Sequence, residues 1–501
     1  MAMDEVKPLL HVKPKTYARR WWVLIYVSLA NIFTTGSWNA WGPISQSVEF
    51  GFGWDDSIIA DILNVGRIGM FVGIIPLSYL VDKKGIRLAM IISNVILLMG
   101  YVLRCLIDQT TSIWPAMLGQ VIVGGANGIG YCGPSAMSVA WFPPNERATA
   151  TSIAVMSTYI GLGIAYIINP LLVSTPLFDE VEFSYRKLNQ SELANYTDHD
   201  LSLAANSTSV SMANVVLNKD IIQDETMTLM YIETGIAAAF VIVAVALVPD
   251  APPTPPSHSA NAIRMEYTKV FLHIIRSGYL SLLLLFTGVM IGMYATWVTI
   301  FGITFEHLDI TQDEAGWLGF GSLIASSVVG FISARFSDVC ASKLKTILMV
   351  MLVISSLMFL WVSLLCSQYI EYSREQLYVS TMLGCAFLNG CVPLLYEQIC
   401  NAAFPIPEGI IVGISALVAT LAGILYILPL SLIEFEDNSW LEWSLLVLCV
   451  VGCIVILITP QRNGRADLDV SVRVTKFAHY ERLGTDQPDL HVSQNQVPEN
   501  A

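Results

Sequence analysis

The sequence predicts an all-α, polytopic membrane protein whose twelve transmembrane helices form two similar six-helix halves. Three observations predict it: a strongly apolar composition, twelve long apolar runs, and motifs that recur in the second half of the chain. Of 501 residues, 54% are hydrophobic and 13% charged, against roughly 25% charged in soluble domains, and mean hydropathy is +0.60. Hydrocarbon leaves no water to satisfy a backbone, so a spanning segment is a helix of about 20 apolar residues or a strand of a closed barrel. The runs are long and continuous, which selects helices: 21–46, 57–81, 86–107, 113–141, 149–173, 227–249, 278–303, 314–336, 345–367, 375–402, 408–433 and 440–460.

Orientation follows from Lys and Arg. With both termini cytoplasmic, Arg19, Arg20, Lys83, Lys84, Arg87, Arg147, Arg335, Lys343, Lys345 and Arg462 fall inside. Arg104, Arg186, Lys187, Lys219 and Arg374 fall outside, leaving Arg67 within a span. The net charge of −14 sits largely in the stretch 174–226 and the terminal tail, and is no nucleic-acid signature. Nine cysteines lie mostly in spans with neither a disulfide framework nor metal-ligand spacing, so no metal and no cofactor is expected. The first span serves as the insertion signal, because Asp4, Glu5, Lys7 and Pro8 precede it in place of a cleavable signal peptide.

The chain repeats itself. Trp38-Asn39-Ala40-Trp41 in the first span is matched 256 residues later by Tyr294-Ala295-Thr296-Trp297 in the seventh. Asn127-Gly128, with Phe-Pro-Pro-Asn-Glu from Phe142, is matched 262 residues later by Asn389-Gly390, with Phe-Pro-Ile-Pro-Glu from Phe404. The loop bearing Asp82, Gly85 and Arg87 is matched by the one bearing Asp338, about 256 residues on. Such offsets point to duplication. The stretch Gly73 to Arg87 resembles the loop 2-3 motif of the major facilitator superfamily, whose two parallel repeats enclose a mid-membrane site. The resemblance implies that Asp82 and Asp338 act as charge latches, by capping a helix start or pairing across the halves; the competing reading is positive-inside anchoring.

The domain reading follows. Residues 1–20 form a cytoplasmic tail, 21–249 the first half with a long lumenal loop at 174–226, and 250–277 an extended, Pro-rich cytoplasmic linker. Residues 278–460 form the second half and 461–501 a cytoplasmic tail. The loop carries two glycosylation sequons, at Asn189 and Asn206. Near the N-terminus, Glu5 with Leu9 and Leu10 forms an acidic dileucine signal for clathrin adaptors, with a plain solvated tail as the alternative.

Within the spans, Trp38, Asn39, Trp41, Tyr159, Tyr294 and Trp297 are the candidate solute contacts, because aromatic faces sandwich flat rings or cage cations. The competing reading for Trp and Tyr is an interfacial belt. Arg67 carries a charge that costs at least about 3 kcal/mol unless it faces protein or water; a gating or structural role is expected of it. Glu397, near the cytoplasmic end of the tenth span, is the candidate proton carrier, with a structural ion pair as the alternative. The Gly-rich run 124–130 follows no strand and no Gly-Lys-Ser/Thr occurs, which excludes a nucleotide loop. No nucleophile motif occurs either, so an enzyme is not expected.

Five stretches carry a closer resemblance: Arg-Arg-Trp-Trp-Val-Leu at 19–24, Trp-Asn-Ala-Trp-Gly-Pro-Ile at 38–44, Asn-Glu-Arg-Ala-Thr-Ala at 145–150, Asp-Glu-Ala-Gly-Trp-Leu-Gly-Phe at 313–320 and Phe-Pro-Ile-Pro-Glu-Gly at 404–409. Together they resemble solute carrier family 49, the feline leukaemia virus subgroup C receptor relatives, over roughly 19–460. The resemblance implies proton-coupled export of a small metabolite, pyridoxine foremost, from the lysosome, with membrane lipid as surroundings and the plasma membrane as the alternative location. It leaves two rivals: facilitative transport of choline, ethanolamine or haem, and a membrane metabolite sensor. Choline-transporting relatives present a glutamine where this chain has Tyr159, which weighs against a quaternary amine.

Overall fold

The structure is a computed structural model that describes residues 14–54, 56–107, 113–174, 198–261, 265–305, 308, 310, 312–340, 343–432, 440–461, 464, 465 and 468. Twelve spans run through it: α1 (Arg19–Trp38), α2 (Asp56–Lys84), α3 (Ile86–Arg104), α4 (Trp114–Asn127 and Ile129–Trp141), α5 (Arg147–Leu172), α6 (Asp198–Leu247), α7 (Gly278–Thr299), α8 (Gln312–Val339), α9 (Leu344–Cys366), α10 (Arg374–Gly390 and Val392–Ala403), α11 (Glu408–Leu432) and α12 (Trp440–Ile458). Ten of the described helices are long and apolar enough to cross a membrane. The other two spans are α1, which carries Asn31, Thr34, Thr35 and Ser37, and α4, which is broken into two shorter helices. Outward faces are apolar, as lipid requires, with Leu171 and Val72 among the most exposed side chains.

The duplication is visible in the packing. Within the first half α1 packs on α5, α2 on α4 and α3 on α6; within the second, α7 packs on α11, α8 on α10 and α9 on α12. Small residues allow the approach, because in lipid close van der Waals contact replaces the hydrophobic drive between helices. A Cβ on Gly124 would lie 2.0 Å from the Gly66 carbonyl oxygen, and one on Gly69 2.0 Å from that of Val121. On the α1–α5 seam the same holds for Gly161 against Ile32, and on the equivalent α7–α11 seam for Gly292 against Ala419. Gly124→Ala is therefore expected to force α2 and α4 apart and lower the melting temperature of the detergent-extracted protein sharply. Gly235→Ala, in a helix position with nothing within 4 Å, should be neutral or slightly stabilising, since Ala is the better helix former by about 1 kcal/mol. Equal melting temperatures for the two variants would refute this account of the seam.

Both α4 and α10 break at their Asn-Gly step, after Asn127 and after Gly390, so the repeat noted in the sequence is a pair of discontinuous helices. Across the halves, α2 and the second segment of α4 meet α11, while α8 and the second segment of α10 meet α5.

Three expectations need correction. α6 begins at Asp198, so the stretch 174–226 is helical over more than half its length, and Asn206 falls in that helix. Asn189, Glu5, Leu9 and Leu10 lie outside the described residues, as does the Asn206 side chain. The linker 250–277 is not simply extended: it forms a 3-10 turn at Ser259–Asn261 and a helix at Tyr267–Arg276. Arg104, assigned to the outer surface, is fully buried at the end of α3. There it pairs with Glu233 of α6 at 3.3 Å, donates to the Ser37 carbonyl at 3.1 Å and to Gln120, and lies over the rings of Tyr101 and Trp41.

Candidate translocation site

The end of the bundle that carries Lys83, Lys84 and Arg87 is closed by two equivalent caps. A helix start leaves N–H groups without partners and a partial positive charge, which a carboxylate satisfies. Asp82, near the end of α2, accepts from the backbone N–H of Gly409 at 2.9 Å and of Ile410 at 2.8 Å, the first turn of α11 in the other half. Asp338, near the end of α8, accepts from Ala148 at 3.0 Å and Thr149 at 2.8 Å, the first turn of α5. Each half thus holds the other by the same device, at repeat-equivalent positions.

The linker joins this closure. The Tyr267 hydroxyl donates to Asp82 at 2.9 Å. Burial, then the carboxylate beside it, raises that phenol well above its ordinary pKa, so it stays a donor. Arg147 is buried and donates to Ser257 and Ser259 of the linker. Gly85 takes a φ of +85° between α2 and α3, a conformation that favours glycine. Arg87 pairs with Asp250 at 2.8 Å and donates to the Val245 carbonyl, so it pins the end of α6 within its own half.

Glu397, the candidate proton carrier, is held in the ion pair that was its alternative reading. Arg465, beyond α12, is buried and reaches Glu397 at 2.5 Å and Glu408 at 3.7 Å, while its Nε donates to Asn401 at 2.8 Å. Burial works against the charge of Arg465, yet Glu397, Cys400 and Glu408 together raise its pKa beyond the ordinary range. Glu397 is thereby one half of an ion pair that straps the chain after α12 to α10. Sequence reading missed Arg465 because it lies outside every span and far along the chain from its partner.

Between the two halves, aromatic side chains of both meet. The rings of Tyr159 on α5 and Tyr294 on α7 stand edge to face with centroids 6.5 Å apart, and Tyr294 pairs with the Ser326 hydroxyl of α8 at 3.3 Å. Tyr131, just past the break in α4, packs with half-buried Trp38 on Met70 and Ile74 of α2 and on Ala416 of α11. Tyr131 and Tyr159 both pack on a buried cluster that joins Ala148, Val155 and Met156 of α5 to the core of the second half. Tyr396 is buried in the second segment of α10, within electrostatic reach of Tyr159 and Tyr131. Arg67 of α2 lies within electrostatic reach of Tyr131.

Of the candidate solute contacts, then, Trp38, Tyr159 and Tyr294 lie on the seam between the halves. Trp41 and Trp297 do not. Trp41 lies past the end of α1, fully buried among Ile44, Val48 and Trp54 in the first half. Trp297 is locked by Phe301, Phe305 and Phe359 and donates to the Leu441 carbonyl at 3.1 Å, inside the second half. Asn39 ends α1 with its side chain against Tyr166. Tyr131 and Tyr396 were passed over; the position of Tyr131 just after a helix break was the available signal.

Comparison with known proteins agrees with this architecture. Residues 27–178 match the profile of the Major Facilitator Superfamily. The chain is 31% identical over 484 residues to the solute carrier family 49 member 4 homolog of Xenopus tropicalis, covering 94% of this chain and 98% of that one. It belongs to solute carrier family 49. Membership makes it a multi-pass membrane transporter of small solutes rather than an enzyme. A second relative within reach of the family is the choline/ethanolamine transporter FLVCR1 of Felis catus, 23% identical over 419 residues, with 82% of this chain and 67% of that one covered. Among solved structures, the fucose:proton symporter FucP of E. coli superposes with a TM-score of 0.63 at 13% identity, over 89% of this chain and 100% of that one. That likeness shows the fold shared by family 49 and the wider superfamily.

Proposed function

We propose that this family 49 member exports a small aromatic metabolite, pyridoxine in the first instance, from the lysosome by alternating access, with the proton gradient as drive. The observation that carries the reading is the aromatic seam of Trp38, Tyr131, Tyr159 and Tyr294 midway between two halves that are capped together at one end. A flat ring inserted there gains offset or edge-to-face contacts of about 0.5–1.5 kcal/mol each. The capped end is taken as cytoplasmic from its basic residues. Opening it requires Asp82 and Asp338 to release α11 and α5 together, which is the rocking that a two-repeat transporter performs. The sorting signal at Glu5, Leu9 and Leu10, adaptor binding through it, and glycans at Asn189 and Asn206 belong to this reading as proposals.

The rival favoured by the Felis catus relative is facilitative choline or ethanolamine transport. Uptake by cells that carry the Leu9→Ala/Leu10→Ala form at their surface separates the two. Labelled pyridoxine should enter faster from an acidic than from a neutral medium, and Trp38→Ala combined with Tyr294→Ala should cut entry about tenfold or more. Glu397→Gln should keep the dependence on medium pH, because its carboxylate already serves Arg465. Choline entry indifferent to pH, with no entry of pyridoxine, would overturn the proposal.

A further inference from the structure

Two arginines on the apolar helices of the first half, Arg67 and Arg104, are treated oppositely by the fold. Arg104 has a carboxylate, a carbonyl, an amide and two ring faces around its guanidinium. Arg67 has no hydrogen bond and no ion pair among the described residues, and its Nη1 is buried without a partner. It lies eleven residues into α2, about 16 Å along the helix, on the face that continues through Met70 and Ile74 at i+3 and i+7. Those two residues meet Ala416 of the other half, with Trp38 and Tyr131 packed beside them. The phenol of Tyr131 lies within electrostatic reach of the guanidinium. An unpaired charge at this depth is strongly disfavoured, and here it stands beside an aromatic seam that both halves build.

We propose that Arg67 is the residue that selects the solute, and that the solute class is a small flat ring bearing an anionic or strongly accepting oxygen, such as a carboxylate or an ionised ring hydroxyl. The inference rests on the seam being the solute site. A guanidinium offers paired N–H donors in a plane that fits such an oxygen and strengthens as the charge on it grows. Aromatic side chains alone would also accept a quaternary ammonium; the fixed positive charge of Arg67 repels one. Pyridoxine falls in the class, because protonation of its ring nitrogen makes the neighbouring ring hydroxyl readily ionised.

The test is equilibrium binding to the purified full-length protein of four probes: pyridoxine, nicotinate, nicotinamide and choline. Wild type is expected to bind pyridoxine and nicotinate at least tenfold more tightly than nicotinamide, with choline weakest. Arg67→Gln should erase that preference while leaving nicotinamide affinity within twofold, and Arg67→Lys should keep part of it. Should Arg67→Gln fail to fold, the wild-type ranking decides alone: nicotinamide or choline at or above both acidic rings overturns the inference, as does failure of every ring to bind. A pyridoxine affinity unchanged in Arg67→Gln overturns it while leaving pyridoxine transport standing. Nicotinate binding that depends on Arg67, without pyridoxine binding, keeps the solute class and removes pyridoxine as the transported member.

Discussion

Replacing Arg104 by Met should leave little folded protein. Arg104 is inaccessible to solvent and Glu233 almost so; removing the guanidinium strands the Glu233 carboxylate together with the Ser37 carbonyl and the Gln120 amide that it served. Breaking one side of a buried pair costs about 3–5 kcal/mol, a large part of the whole stability of many folds. The expected reading is a loss of the monodisperse peak, or a fall of many degrees in melting temperature, when the detergent-solubilised protein is followed by size-exclusion chromatography. The double variant Arg104→Met/Glu233→Leu should recover most of the loss, because an apolar pair of similar volume is often as stable as the ion pair it replaces. An unaltered melting temperature for Arg104→Met alone would show that the pair contributes nothing.

Asp82→Ala should tip the conformational balance rather than unfold the chain. It removes two charge-assisted acceptor contacts to the start of α11 and one to Tyr267. At about 1.5–3 kcal/mol for a charged hydrogen bond, a net loss of ~3 kcal/mol shifts the ratio of closed to open forms roughly a hundredfold. Maleimide labelling of Cys400, buried near the capped end of α10, should accelerate accordingly, and net transport should fall because the closed form is under-populated. Asp82→Asn keeps an acceptor without the charge and should fall between. Gly409→Ala should mimic Asp82→Ala, since a Cβ there would lie 2.6 Å from the Asp82 carboxylate. Labelling rates equal to wild type in all three would remove Asp82 from the gate.

Composition, run length and the repeat offsets were enough to determine a two-half membrane bundle. Helices in lipid must satisfy their own backbones, so hydropathy reads almost directly as topology. The sequence repeats reappear as physical equivalences: the Asp82 and Asp338 caps and the broken α4 and α10. Which side chain faces which neighbour was decided only by the tertiary structure. A spacing of three places residues on one face only while the helix lasts; α1 ends at Trp38, so Trp41 turns into the first half, and Trp297 is captured by phenylalanines of its own. Charge position along the sequence gave no sign of pairing, because Arg104 meets Glu233 and Arg465 meets Glu397 across long stretches of intervening chain. Burial and charge compensation depend on what packs in three dimensions, and that left Glu397 engaged, Arg104 enclosed and Arg67 open at the seam.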